Sequence, residues 1–172
     1  MIRPICAAAC LLFIASTLPA QDMPLSQVLI DGEGWRLVGE GYKFTEGPAI
    51  DKDGTVYFVD VPESVILKIG ADGKPVVWAK DTGKASGLMF GPEGRLYACQ
   101  SGTKKVVWYD RDAKPTVIAE DIAGNDIMVD SKGGVYVTDM GGSQVWYVAP
   151  DGSKRVVASG FKPNGLTLWP DG

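Results

Sequence analysis

Apolar and polar positions alternate in short bursts along this chain, and the bursts return at a fixed interval. A short apolar run, Pro48 to Ile50, leads through Asp53-Gly54 into an alternating β-branched and aromatic run, Thr55 to Val59. The pattern recurs as Leu88 to Phe90, Gly94 and Arg95 to Cys99, and again as Ile127 to Val129, Gly133 and Val135 to Thr138. It opens once more at Leu166-Thr167-Leu168, before Gly172. The turn glycines Gly54, Gly94, Gly133 and Gly172 are spaced by 40, 39 and 39 residues. Period-two alternation bounded by Gly turns predicts half-buried strands joined as hairpins. Two further strands follow in each unit. The third spans Val65 to Ile69, Val106 to Tyr109 or Val145 to Val148; the fourth spans Val76 to Ala79, Thr116 to Ala119 or Arg155 to Ala158. Asp72-Gly73 and Asp151-Gly152 join them as hairpin turns, while Asp112-Ala113 departs from that pattern. No window carries a helical period of 3.6 with caps.

Four-stranded units of about forty residues in tandem predict an all-β fold, a β-propeller. Trp35-Arg36-Leu37-Val38 reads as a strand, and Val38 precedes Glu46 by eight residues as Val156 precedes Asn164. The domain, residues 35–172, is therefore expected to open with the last strand of a repeat. Three complete blades and the start of a fourth follow. Propellers close with four to eight blades, so the reading is of a partial propeller, truncated at its C-terminal end.

Composition narrows the chemistry. The net charge of −4 lacks the basic footprint of a nucleic-acid binder. With no histidine in the chain, a Ser-His-Asp triad, a Cys-His pair and a His-ligated metal are all excluded. Residues 1–20 read as a signal peptide, with Arg3, an apolar stretch from Ile5 to Leu18 and a cut before Gln21; residues 21–34 read as a leader. The apolar run is short for a membrane span. The mature protein is expected to be secreted or periplasmic, free of the membrane, and left with Cys99 as its one cysteine, a packing residue.

Candidate chemistry lies eight residues before each turn glycine, where Glu46, Ser86, Asn125 and Asn164 stand in one register slot. In a propeller the first strand of each blade lines the central channel, so these side chains are expected to converge at its mouth. One carboxylate and two amide oxygens form a hard, all-oxygen donor set suited to calcium and unsuited to zinc. The competing reading is local: Asn-Gly, Asn-Asp and Glu-Gly-Pro are turn sequences whose polar groups bond nearby backbone.

Three motifs in order, Phe44-Thr45-Glu46-Gly47-Pro48, Asn125-Asp126 with Val129-Asp130-Ser131-Lys132-Gly133, and Pro163-Asn164-Gly165, resemble the gluconolactonase, regucalcin and luciferin-regenerating-enzyme family. The resemblance covers residues 35–172. It implies a six-bladed propeller, of which about three and a half blades are present, with a divalent cation at the channel. It further implies a metal-dependent hydrolase that opens a sugar lactone with a metal-polarised carbonyl and activated water. On this reading Glu46 and Asn164 are metal ligands, and Asn125 is a metal or substrate contact. Ser86 is a substrate contact where the family often has Asn. The family's aspartate base comes from the blade after Pro-Asn-Gly, beyond residue 172, so no catalytic residue is assigned here; Asp171 is a turn residue by register. Organophosphate-hydrolysing and strictosidine-synthase-like relatives leave the substrate open. The alternative is a non-catalytic secreted propeller that serves as a binding module. Oligomeric state is not readable from the sequence.

Overall fold

The computed structural model describes Gly32 and residues 34–168. The proposed signal peptide, most of the leader, and Asp171 and Gly172 lie outside the described residues. The chain divides into Met1–Arg36 and Leu37–Gly172. Of the first unit, Gly32 and residues 34–36 are described and carry no strand or helix.

Residues 37–168 contain twelve strands and no helix: β1 (Thr45–Ile50), β2 (Val56–Asp60), β3 (Val65–Ile69), β4 (Pro75–Ala79), β5 (Ala85–Phe90), β6 (Leu96–Gln100), β7 (Lys105–Tyr109), β8 (Pro115–Glu120), β9 (Ile127–Val129), β10 (Val135–Asp139), β11 (Gln144–Val148) and β12 (Lys154–Ser159). They form three four-stranded antiparallel meanders, β1–β4, β5–β8 and β9–β12, each in sequence order. These are three consecutive blades of a β-propeller. Every expected strand within them is present, to within a few residues at its ends.

The repeat is kept in register by its turns. Gly54, Gly94 and Gly133 close the first hairpin of each blade at φ of 85°, 72° and 82°, in the left-handed region that glycine enters without a Cβ penalty. Asp51 Oδ1 accepts the Asp53 and Thr55 amides at 2.9 and 2.8 Å, and Asp130 Oδ1 does the same for Lys132 and Gly134 at 2.8 Å each. At the turn that departs from Asp-Gly, Ala113 adopts the same left-handed backbone, with φ of 59°.

The core lies in the seams between blades. Val59, Ile66, Leu96 and Val107 are sealed between the first and second blades, and Val106, Val135, Val137 and Val148 between the second and third. Each second strand ends in a buried polar residue at a shared position: Asp60, Gln100 or Asp139. Their groups are satisfied, as burial demands. Asp60 accepts the Lys43 and Phe44 amides at 3.0 and 3.2 Å, anchoring the incoming chain. Asp139 accepts the Gly142 amide at 2.7 Å and N–H groups from Gln144 and Trp146.

Two expected strands are not seen among the described residues, each without the blade it was expected to pair with. Residues 34–40 form no strand, and Trp35 and Leu37 are 83% and 77% exposed. A strand exists only against a partner's amide row, and each of the three sheets is complete without this segment. Residues 162–168 likewise form no regular structure; the strand that would pair with Leu166 to Leu168 is not among the described residues.

Candidate functional site

The inner strands β1, β5 and β9 stand side by side, and their N-terminal ends open at one rim. Glu46 sits at the start of β1, beside a bulge between Glu46 and Ala49; β5 has the same irregularity between Ala85 and Leu88. The bulge carries Gly47 at φ of 54°. A Cβ on Gly47 would stand 2.1 Å from the Ser86 carbonyl oxygen, and one on Gly87 2.8 Å from Asp126 Cα. At this rim, successive inner strands therefore meet backbone against backbone, which only glycine permits. The close approach draws neighbouring slot residues together.

Glu46, Asn125 and Asn164 line one cavity of about 330 Å³, together with Pro48, Leu88 and Asp126 among others. Glu46 and Asn164 are exposed and Asn125 is half-buried, so their oxygens face an accessible space. Among the described residues no lysine or arginine lines the cavity, which gathers two carboxylates and two side-chain amides. Among the described residues, no three His, Cys, Asp or Glu side chains gather in one place. A cation here depends on the amide oxygens as well as the acids. That donor chemistry fits a hard cation such as calcium, which takes carboxylate and carbonyl oxygens.

Ser86 takes a different place. It is 6% exposed and does not line the cavity; its hydroxyl donates to the Asn125 carbonyl at 2.7 Å and lies 3.3 Å from that of Gly124. Here its hydroxyl makes a backbone contact in the second seam, beside Asn125. The reason is its neighbour. Gly87 brings the second blade so close to the third that a serine reaches the adjoining carbonyl before it reaches the channel.

The residue that register reading missed is Asp126, which also lines the cavity. It occupies the position held by Gly47, Gly87 and Gly165 in the other repeats, so its place in a glycine register was the available signal. Its backbone is held on both sides. The Asp126 amide donates to Thr138 Oγ1 at 2.9 Å, and its carbonyl accepts the Thr138 amide at 3.0 Å and the Cys99 thiol at 3.5 Å. One carboxylate oxygen, Oδ1, accepts the Ile127 amide at 2.8 Å. A Cβ on Gly165 would lie 3.8 Å from the other, Oδ2. Cys99 is fully buried, and burial, then the charge of Asp126, push its thiol far above the ordinary range. It is a packing residue, not a nucleophile.

Comparison with known proteins places this geometry. A family profile described as the SMP-30/gluconolactonase/LRE-like region matches residues 44–172. A gluconolactonase of Zymomonas mobilis is 25% identical over 172 aligned positions, covering 78% of this chain and 48% of its own. The structure of a Xanthomonas campestris gluconolactonase superposes with a TM-score of 0.70 at 24% identity, over 76% of this chain and 52% of its own. A calcium-binding regucalcin of Agrobacterium tumefaciens superposes with a TM-score of 0.55 at 21% identity, over 69% of this chain and 44% of its own. At these identities the structural matches bear on the fold alone. The chain spans about half the length of the curated relatives it matches.

Proposed function

The chain belongs to the SMP-30/gluconolactonase/LRE-like family, and from that membership we propose that it builds one side of the active site of an exported, metal-dependent lactone hydrolase. The observation that carries the proposal is the convergence of Glu46, Asn125 and Asn164, three members of one register slot, on a single cavity without a cationic side chain among the described residues. A binding platform has no need of acid and amide oxygens repeated at that register.

In this reading Glu46, Asn125 and Asn164 hold a divalent cation, calcium by donor chemistry, through carboxylate and amide oxygens. When bound, such a cation supplies Lewis-acid polarisation of a carbonyl and a more acidic water. The chain's own residues do the placing. Ser86, bonded to the Asn125 carbonyl, keeps that strand end in position. Asn125, reaching the same cavity, serves as the polar contact for the substrate's hydroxyl or ester oxygens. Pro48, Leu88 and Met89 give the cavity an apolar wall, which limits competing water around a sugar-lactone ring. No proton acceptor is assigned among the described residues. Export through a signal over residues 1–20 belongs to the same proposal.

Calcium titration by calorimetry tests it. The full chain should bind calcium, and Glu46→Gln should abolish binding while leaving the fold intact by circular dichroism. Equal calcium affinity in the two proteins refutes the assignment.

A further inference from the structure

A second, larger cavity of about 470 Å³ opens at the other end of the seam between the first and second blades. β1 runs from Glu46 at the mouth to Ile50, so the turn at residues 51–54 lies about 15 Å away by strand rise. The cavity is separate from the mouth. Its wall is aromatic: Tyr57 meets Trp78 and Phe90 edge-on at 5.3 and 5.1 Å, and Trp78 meets Tyr109 at 5.8 Å.

The second seam holds a matching but smaller cavity of about 330 Å³ beside Trp108, and one register position accounts for the extra space here. The residue paired with the second-strand tyrosine is Lys68 in the first blade, Trp108 in the second and Tyr147 in the third. In the second blade, Trp108 is roofed by the Arg95 guanidinium at 4.3 Å from its centroid, and in the third Tyr147 is roofed by Arg155 at 5.2 Å. The first blade has Thr55 where the second has Arg95, and Lys68 where it has a ring. Both the ring and its cover are gone, and a flexible cation borders the gap.

The polar groups are unevenly used. Lys52 at the rim pairs with Asp53 at 2.8 Å. Asp51 and Asp110 each commit one oxygen to turn amides. Lys68 and Arg111 make no ion pair among the described residues, although both line the cavity. A ring-lined pocket of this size with convergent charged groups of both signs has the make-up of a small-molecule site. Lys68 and Arg111 line the same cavity as the rings and make no ion pair among the described residues, a combination suited to a ligand that is both aromatic and anionic.

We propose that this seam cavity binds a small aromatic carboxylate, its ring among Tyr57, Trp78 and Phe90 and its carboxylate toward Lys68 and Arg111. The site is independent of the lactone reading, since it shares no residue with the mouth.

Calorimetric titration of the full chain with benzoate and phenylacetate tests it, with gluconate and glucose as comparators. Lys68→Trp installs the second blade's residue and narrows the cavity toward the smaller one of the second seam; Lys68→Met keeps the space and removes the charge. Saturable binding of the aryl acids, weakened tenfold or more in both variants with circular dichroism unchanged, supports the site. The absence of saturable binding to the parent chain overturns it, as does parent-like affinity in the Lys68→Trp protein. Gluconate or glucose binding as tightly as the aryl acids overturns the ligand class. Calcium affinity at the mouth is read in parallel and is expected to be unchanged in both variants.

Discussion

Three glycines separate two costs that are usually confounded. Gly54 has φ of 85° and open space for 4 Å around the point where a Cβ would stand, so alanine there meets only the left-handed backbone penalty, about 1–2 kcal/mol. Gly87 lacks a left-handed backbone, but its Cβ would stand 2.8 Å from Asp126 Cα and 2.9 Å from the Ile127 amide nitrogen. Alanine there meets only the seam, and overpacking of this kind costs about 1–3 kcal/mol. Gly47 carries both burdens, with φ of 54° and a Cβ 2.1 Å from the Ser86 carbonyl oxygen. Gly47→Ala should therefore lose about the sum of the other two, about 2–5 kcal/mol, a large share of a domain's usual 5–15 kcal/mol. Urea unfolding of the full chain and the three alanine variants measures this directly. The expected order is Gly54→Ala, Gly87→Ala or the reverse, then Gly47→Ala as the most damaging by a clear margin. A Gly47→Ala protein no less stable than Gly54→Ala would refute the claim that the inner strands touch backbone to backbone at the rim.

Two other outcomes follow from buried polar groups. Thr82 is 1% exposed with its hydroxyl unpartnered, at the position where the next blade has the fully buried Ile122; Thr82→Val should raise stability by about 1 kcal/mol in the same urea assay. For Asp139, burial alone pushes its carboxyl up, but the donors at Gly142, Gln144, Trp146 and Gly141 outweigh it and hold the acid below its ordinary value of 3.8. Its folded-state value is the lower one, so its stabilisation is fully present above the unfolded value and is lost as pH falls through the folded value. Asp139→Asn should flatten the fall in urea midpoint between pH 5 and pH 2, about the window these acids span; an unchanged slope counts against the carboxylate's role.

The blades were legible because each strand pairs within its own repeat. Val135 to Thr138 alternates, and its partners lie on either side in sequence. Local pattern and local pairing then agree. Trp35 to Val38 has the same local pattern, but the blade it was expected to complete is not among the described residues, and the segment forms no strand. Register grouped Glu46, Asn125 and Asn164, and the three line one cavity because equal register sets equal depth along the inner strands. Register does not fix which neighbour a side chain reaches first. Ser86 satisfies its hydroxyl on the backbone of the next blade, an outcome set by the width of a seam that no single repeat encodes. Asp126 was overlooked for the opposite reason: it stands one residue past the slot, in a position that the other repeats leave without a side chain.

The rim places two duties on adjacent residues. The slot residue faces the channel, and the residue after it closes the seam. Where the latter is glycine, as at Gly47 and Gly87, each seam imposes the same demand on its successor whatever the slot carries. Such blades are interchangeable parts, and a duplicated or exchanged blade would dock while bringing a new functional group to the mouth. In the third repeat the same position carries Asp126 instead of glycine. Its carboxylate adds a second acid to the cavity that Glu46 lines, so in this repeat the residue beside the slot carries chemistry as well as spacing.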